Sequence, residues 1–191
     1  MIRSILVALL LLCTSCIQFG NELQPRHYYL LESMTEAPNA YPDYTLTINL
    51  ELAGFPDYLA HKKIVTRNGP NDIKFAASDR WAEPVQESLM RIVRENLTLL
   101  LPGSHISVSP WESSNSHAIK VKLLVNNFLG KLDDHTRIDI RWLIDNQSGQ
   151  TMQGHFTDRQ PIGSSYQDLV VGLNKGINNL SLELAKKLAG E

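Results

Sequence analysis

The hydrophobic pattern of the chain changes its period along the sequence, and this limits the fold more than any other feature. Residues 44–52 alternate strictly between apolar and polar side chains, which predicts a strand with one buried face. A period near 3.6 over residues 85–100, and again over 165–188, predicts two amphipathic helices. Between them, alternation returns at 119–126 and 137–145. We therefore expect a single α+β domain, a mostly antiparallel sheet with two long helices packed on one face.

Capping residues indicate where the two helices begin. Ser78 or Asp79 is expected to cap the first helix, with Pro84 in or near its first turn, where a missing N–H costs least. Ser164 and Gln167 have the spacing of a capping box for the second helix.

The first sixteen residues have the features of an export signal. Arg3 precedes an unbroken apolar run at residues 5–12, which is too short for a membrane span of about 20 residues. Thr14 and Ser15 then precede Cys16, and this pattern resembles the lipobox of bacterial lipoproteins, in which the cysteine receives S-diacylglycerol and N-palmitoyl groups. Cys13 departs from the lipobox, which usually has leucine there. An ordinary signal peptide cut nearby is the alternative.

The signal predicts the organisation of the whole chain. Residues 1–15 are expected to be the signal peptide, 16–25 a lipidated tether, and 26–191 a periplasmic α+β domain. Both cysteines of the chain lie in the signal segment, so cleavage before Cys16 leaves one thiol and no internal disulfide. Lipoproteins kept at the inner membrane often carry Asp after the cysteine. Ile17 therefore favours a periplasm-facing lipoprotein of the outer membrane.

Composition and motifs argue against several classes of function. The net charge of −2 and the absence of Lys/Arg clusters in the sequence indicate neither nucleic-acid binding nor a polybasic membrane segment. The six histidines are scattered without metal-helix spacing, and the sequence has no nucleophile elbow, phosphate loop or zincin motif. The pair Asp133-Asp134 is better explained by a solvated turn than by acid–base chemistry. We expect no catalytic, cofactor-binding or metal-binding residues, and no enzyme.

The segment around Arg80, Trp81 and Glu83 is denser in distinctive residues than the start of a helix requires. In a structural interpretation, Trp81 fills the junction of helix and sheet while Arg80 and Glu83 pair at the surface. In a functional interpretation, the three form a docking site for a partner, because Trp and Arg are enriched at binding hot spots. The aromatic pair at 28–29 is similarly ambiguous, since alternation buries one ring and exposes the other.

Several segments, in order along the chain, carry a resemblance to a known family. They are Tyr28-Tyr29-Leu30-Leu31, Phe55-Pro56-Asp57-Tyr58-Leu59, Ile64-Val65-Thr66-Arg67, Arg80-Trp81-Ala82-Glu83-Pro84-Val85, Glu95-Asn96-Leu97, and Phe156 with the closing helix after Tyr166. Together they resemble the ABC-type transport auxiliary lipoproteins, which are membrane-integrity-associated transporter subunits. Val85 is a mild departure, because the family often has Leu there.

The resemblance implies a function without catalysis. Such proteins are outer-membrane lipoproteins that work with periplasmic MCE-domain proteins, which move lipids between membranes and support envelope integrity. Cys16 is the residue to which the resemblance assigns a definite chemical role. The resemblance is also compatible with a homo-oligomer. The main alternative is a lipoprotein that assembles or plugs an outer-membrane β-barrel. An envelope hydrolase would require a concave pocket that brings His, Asp, Glu or Ser side chains within hydrogen-bond reach.

Overall fold

A computed structural model describes residues 25–37, 40–110, 117–146 and 149–190. Over these residues the chain forms the strands and helices β1 (His27–Tyr29), β2 (Thr47–Gly54), β3 (Lys63–Gly69), β4 (Asp72–Trp81), α1 (Val85–Leu100), β5 (His105–Val108), β6 (Ile119–Gly130), β7 (Thr136–Asp145), β8 (Thr151–Asp158) and α2 (Tyr166–Leu188). The predicted signal peptide, Cys16 and most of the predicted tether lie outside the described residues. In the part that is described, no helix combines the length and the apolarity needed to cross a membrane.

Strand β6 is the centre of the sheet. Along one edge it pairs antiparallel with β7, which in turn pairs antiparallel with β8. Along its other edge it runs parallel to β2 and, at Gly130, meets Thr66 of β3. On this side of the sheet the strand order is β1-β4-β3-β6-β2-β5. Strand β1 pairs parallel with β4, and β5 pairs parallel with β2.

The predicted α+β class and single domain are confirmed. The sheet is mixed: the longest ladders are the antiparallel ones between β6, β7 and β8, while parallel pairings add β1, β2 and β5. Both helices pack on one face of this sheet, where β7 directs Ile138, Ile140, Trp142 and Ile144 into the core. The alternation of β7 thus places apolar side chains under the helices and polar ones on the opposite face.

Trp142 links the sheet to α2. It lies opposite Gly154 in the β7–β8 ladder, and a Cβ at Gly154 would lie only 2.3 Å from the indole ring. The missing side chain therefore makes room for the ring, whose Nε1 donates a hydrogen bond to Glu183 of α2 at 2.7 Å.

The starts of both helices differ from the sequence predictions. Ser78 and Asp79 lie in β4, which continues to Trp81, and α1 begins only at Val85, with Pro84 at the N-cap and no side-chain cap bond. The residues predicted to cap α1 thus belong to a strand, because β4 extends to Trp81, where it pairs with β1.

The capping box of α2 is formed one residue later than predicted. Ser165 accepts a hydrogen bond from the backbone N–H of Asp168, and Asp168 in turn accepts one from the backbone N–H of Ser165. Serines at 164 and 165 make either register plausible from sequence, and the acidic residue at 168 decides it.

A fully buried amide ties three segments of the fold together. Asn96 of α1 has no exposed surface, and its Nδ2 donates to Asn178 at 3.0 Å and to Ser181 at 3.1 Å, both in α2. Its Oδ1 accepts from the backbone N–H of Met34 at 2.8 Å, in the segment that follows β1. The Nδ2 of Asn96 donates two hydrogen bonds and its Oδ1 accepts one, and the partners lie far apart in sequence.

Replacement of Asn96 by Ala is expected to lower the free energy of unfolding by about 2–3 kcal/mol, because it leaves the part-buried Met34 N–H without its partner and opens a cavity between the helices. Urea unfolding followed by circular dichroism measures the loss. Thr98→Ala is the matched control, because its exposed hydroxyl bonds only the Arg94 carbonyl, and its effect should stay within about 0.5 kcal/mol. Equal losses for the two variants would contradict the role assigned to Asn96.

Candidate functional site at the start of helix α1

The distinctive segment at 80–85 lies where β4 ends and α1 begins. In the β1–β4 ladder Tyr28 lies opposite Arg80, and Tyr29 lies opposite Trp81. The pairing continues one residue further, since the Ala82 N–H donates to the Tyr29 carbonyl at 2.9 Å. The segment therefore holds the first strand of the domain against the sheet.

The alternation of β1 resolves the ambiguity of its two aromatic residues. Tyr29 and Leu31 point into the molecule, whereas Tyr28 is 59% exposed and Leu30 49% exposed. On the inner side Trp81 is only 7% exposed and belongs to the core. This burial agrees with the structural interpretation of Trp81, in which the ring fills the junction of helix and sheet.

Glu83 does not pair with Arg80, so that part of the structural interpretation is wrong. Its Oε1 instead accepts hydrogen bonds from Arg91 at 2.6 Å and from the Ser88 hydroxyl at 2.5 Å, both in α1. These bonds fix the turn before the helix, where Pro84 supplies no side-chain cap. Arg80 is half-buried, and its buried Nε has no hydrogen-bond partner within the described part of the chain.

Arg91 connects this turn to the start of the domain. Besides Glu83, its guanidinium donates to the Leu31 carbonyl at 3.3 Å and to the Glu95 carboxylate, one turn further along α1, at 3.3 Å. In the sequence pattern of α1, Arg91 lies opposite the apolar stripe, and this pattern does not reveal its role. The i, i+4 spacing to Glu95 was a visible signal, but the contacts with Glu83 and Leu31 depend on the tertiary fold.

Electrostatics support these contacts. Hydrogen bonds from Ser88 and Arg91 hold the pKa of Glu83 below its ordinary value, against a smaller effect of burial in the opposite direction. The hydrogen bond with Glu83 raises the pKa of Arg91, which keeps the guanidinium charged.

Tyr29 takes part in a second polar contact at the same junction. Its hydroxyl donates to Asp79 at 2.9 Å, and His27 lies 3.4 Å from the same carboxylate. Burial and the neighbouring Asp79 raise the pKa of Tyr29 to about 12. The phenol therefore stays protonated and serves as a donor that fastens β1 to β4.

Two cavities adjoin this turn. One, of about 710 Å³, lies between α1 and the ends of β2 and β5 and is lined by residues that include Glu51, Met90, Arg94 and Pro110. The other, of about 770 Å³, lies beside β1 and includes Arg26, Tyr28, Lys62 and Arg80 in its wall. Glu83 and Gln86 line both cavities and separate them.

An Asp–His contact of the kind that a hydrolase uses occurs among the described residues. Asp134 and His135 pair at 2.5 Å in the wall of a third cavity, of about 400 Å³, whose other described lining residues are Arg67, Gly69, Pro70, Lys131, Arg137 and Arg159. No hydroxyl or thiol nucleophile is among these. Asp133, which has a φ of 59°, and Asp134 are both exposed in the turn between β6 and β7, in agreement with the predicted solvated turn. Within the described ranges, no three His, Cys, Asp or Glu side chains group as metal ligands.

A family model described as the ABC-type transport auxiliary lipoprotein component matches residues 29–185. The chain belongs to this family. The resemblance inferred from the sequence is thereby confirmed, and the segments at 80–85 and 95–97 that carried it form the junction described above. This auxiliary lipoprotein is similar to the intermembrane transport lipoprotein PqiC of Escherichia coli, with 27% identity over 141 residues that cover 72% of this chain and 71% of PqiC.

Two solved structures share the fold of this auxiliary lipoprotein. A crystal structure of an uncharacterized protein matches with a TM-score of 0.72 and 24% identity, covering 86% of this chain and 99% of the other. A protein from Xanthomonas campestris matches with a TM-score of 0.68 and 13% identity, covering 83% of this chain and 92% of the other. At these identities the likeness establishes the fold alone.

Replacement of Glu83 by Gln should weaken the dependence of stability on acid pH. Because the folded pKa of Glu83 lies below its ordinary value near 4.5, its stabilising contribution is present above that value and is lost as pH falls through the folded pKa. At neutral pH the variant should be less stable by about 1 kcal/mol or less, since the carboxylate is partly solvated. Denaturant unfolding between pH 3 and pH 7 measures both effects.

The control is Glu87→Gln, which removes an acidic group from the first turn of the same helix without disturbing the contacts of Arg91. Between pH 7 and pH 3 the free energy of unfolding of the Glu87→Gln variant should fall as steeply as that of the unmodified protein. If Glu83→Gln kept the full acid dependence, the hydrogen bonds from Ser88 and Arg91 would not be the source of the shift.

Proposed function

We propose that this auxiliary lipoprotein is an outer-membrane-anchored subunit of an MCE-type intermembrane lipid transport system and supports envelope integrity. Acylated Cys16 holds it to the membrane, the domain from residue 26 onward faces the periplasm, and the working partner is a periplasmic MCE-domain protein. The protein acts by binding and positioning, and not as an enzyme.

The observation that carries the proposal is the match of the family model to residues 29–185, together with a relative named as an intermembrane transport lipoprotein. The lipobox-like sequence ahead of the domain supplies the membrane attachment, and Ile17 after the cysteine favours the outer membrane. The segment for which the sequence suggests a docking role lies at the cavity beside β1, with Arg80 and Glu83 in the wall and Trp81 buried behind them.

Replacement of Cys16 by Ser should abolish acylation and leave the precursor uncleaved by the lipoprotein peptidase. The domain should still fold, because the described core begins at Leu31. Metabolic labelling with a fatty-acid analogue provides the measurement, and label retained by Cys16→Ser would exclude this anchor. The companion variant Ile17→Asp should keep the label but hold the protein in the inner-membrane fraction.

Purification of the protein from native envelope membranes in mild detergent should bring down an MCE-domain protein. Mass measurement of the intact complex identifies the partner and the number of copies of each chain. Recovery with an outer-membrane β-barrel would favour the alternative of an assembly or plug lipoprotein. Recovery of this protein alone, under conditions that keep a known MCE complex intact, would count against both.

A further inference from the structure

Basic and apolar side chains meet on the outer side of the first strand, although the sequence shows no basic cluster. We use the name tether-proximal patch for Arg26, Tyr28, Leu30, Lys62 and Arg80. Four of the five line the cavity of about 770 Å³, and Leu30 continues the outward alternation of Tyr28. The residues come from three separate parts of the chain and are brought together by the pairing of β1, β3 and β4.

Strand register explains why Arg80 and Tyr28 share one face, because they lie opposite each other in the β1–β4 ladder and directly opposed residues point to the same side of a sheet. Arg26 is two residues before Tyr28, and Lys62 lines the same cavity from the segment before β3. The neighbouring pair of Tyr29 and Trp81 points the other way, into the core. The patch is therefore presented by a rigid sheet edge.

The charge of the patch is positive. Arg26, Lys62 and Arg80 have no acidic partner among the ion pairs of the described residues. Glu83 is the acidic residue in the wall of the same cavity, and it is already bound to Arg91 and Ser88. Tyr and Leu beside Lys and Arg form the combination found at membrane interfaces, where apolar groups enter the headgroup layer and cations meet phosphates.

The chain outside the described residues indicates what faces this patch. Arg26 lies ten residue steps beyond Cys16, and an extended chain of that length spans at most about 35 Å. A lipid on Cys16 would therefore keep Arg26 within about 35 Å of a membrane surface. The tether enters the domain at the patch itself, because Arg26 immediately precedes β1.

We propose that the tether-proximal patch lies on the periplasmic leaflet of the anchoring membrane and binds phospholipid headgroup phosphates. This inference rests on the proposed acylation of Cys16 and adds an orientation: β1 and the start of α1 face the lipid, and the β3–β4 turn points away from it. Tyr28 and Leu30 insert at headgroup depth while Arg26, Lys62 and Arg80 contact the phosphates.

The test uses the acylated protein in vesicles of phosphatidylethanolamine and phosphatidylglycerol that contain a headgroup nitroxide quencher. A fluorophore is attached to Ala60→Cys, an exposed position in the wall of the same cavity, or to Gln153→Cys on β8, at the far side of the sheet. The label at 60 should be quenched strongly and the label at 153 weakly. Free inorganic phosphate should leave both signals unchanged.

Charge reversal identifies the interaction. Because one basic side chain near an anionic surface contributes about fivefold to binding, Arg26→Glu with Lys62→Glu should lower the ratio of docked to undocked protein at least tenfold. The matched control, Arg141→Glu with Arg159→Glu, changes the net charge equally at exposed positions of β7 and beyond β8, and should leave the quenching at 60 intact. Moving from 0.1 to 1 M salt should weaken quenching in the unmodified protein.

Equal quenching at positions 60 and 153, or equal losses for the two charge-reversed pairs, would overturn the orientation while leaving the anchor in place. Intact mass measured on the same sample reports acylation separately. A sample that carries no lipid on Cys16 would remove the proposed anchor and, with it, this inference.

Discussion

The buried amide of Asn96 is the interaction on which the arrangement of layers depends. A helix packed on a sheet through apolar contacts alone can slide, because such contacts have little direction. Asn96 removes this freedom, since its hydrogen bonds specify the position of α2 through Asn178 and Ser181 and the path of the N-terminal segment through Met34. A fully buried amide that lost any of these partners would carry a desolvation cost. One side chain therefore links α1, α2 and the segment that follows β1.

The turn around Glu83 extends this constraint to the N-terminal strand of the described domain. Arg91 binds Glu83 before the helix and the Leu31 carbonyl after β1, only five residues before Asn96 on the same helix. The Tyr29–Asp79 bond adds a third attachment from the sheet side. A three-residue strand at a sheet edge has little stability of its own. These contacts tie β1 and the segment after it to the rest of the domain.

Periodicity was sufficient to predict the two helices, the alternating strands and the α+β class, because these depend on one-dimensional spacing of apolar residues. Parallel pairing of β1 with β4 could not be predicted, since it joins residues about fifty positions apart and leaves no local pattern. Ser78 and Asp79 were predicted to cap a helix and instead lie in β4 for the same reason. Glu83 and Asn96 were visible as members of family segments, but their partners depend on how α1 meets β1. The tether-proximal patch was hidden for the same reason: its cations are dispersed in sequence and gathered only by strand pairing.

In the orientation that we propose, the two ends of the β3–β4 hairpin have different roles. β1 pairs with the end of β4 at Asp79–Trp81, whereas the β3–β4 turn lies at the opposite end of the same strand. Seven residues of strand between Asp72 and Asp79, at about 3.3 Å each, separate these ends by roughly 20 Å. With the patch on the leaflet, the cavity lined by Arg67, Lys131 and Arg159 beside the β3–β4 turn faces the periplasm and stands clear of the headgroups by more than a Debye length. In that orientation the proposed periplasmic partner would reach these charges without competition from the membrane.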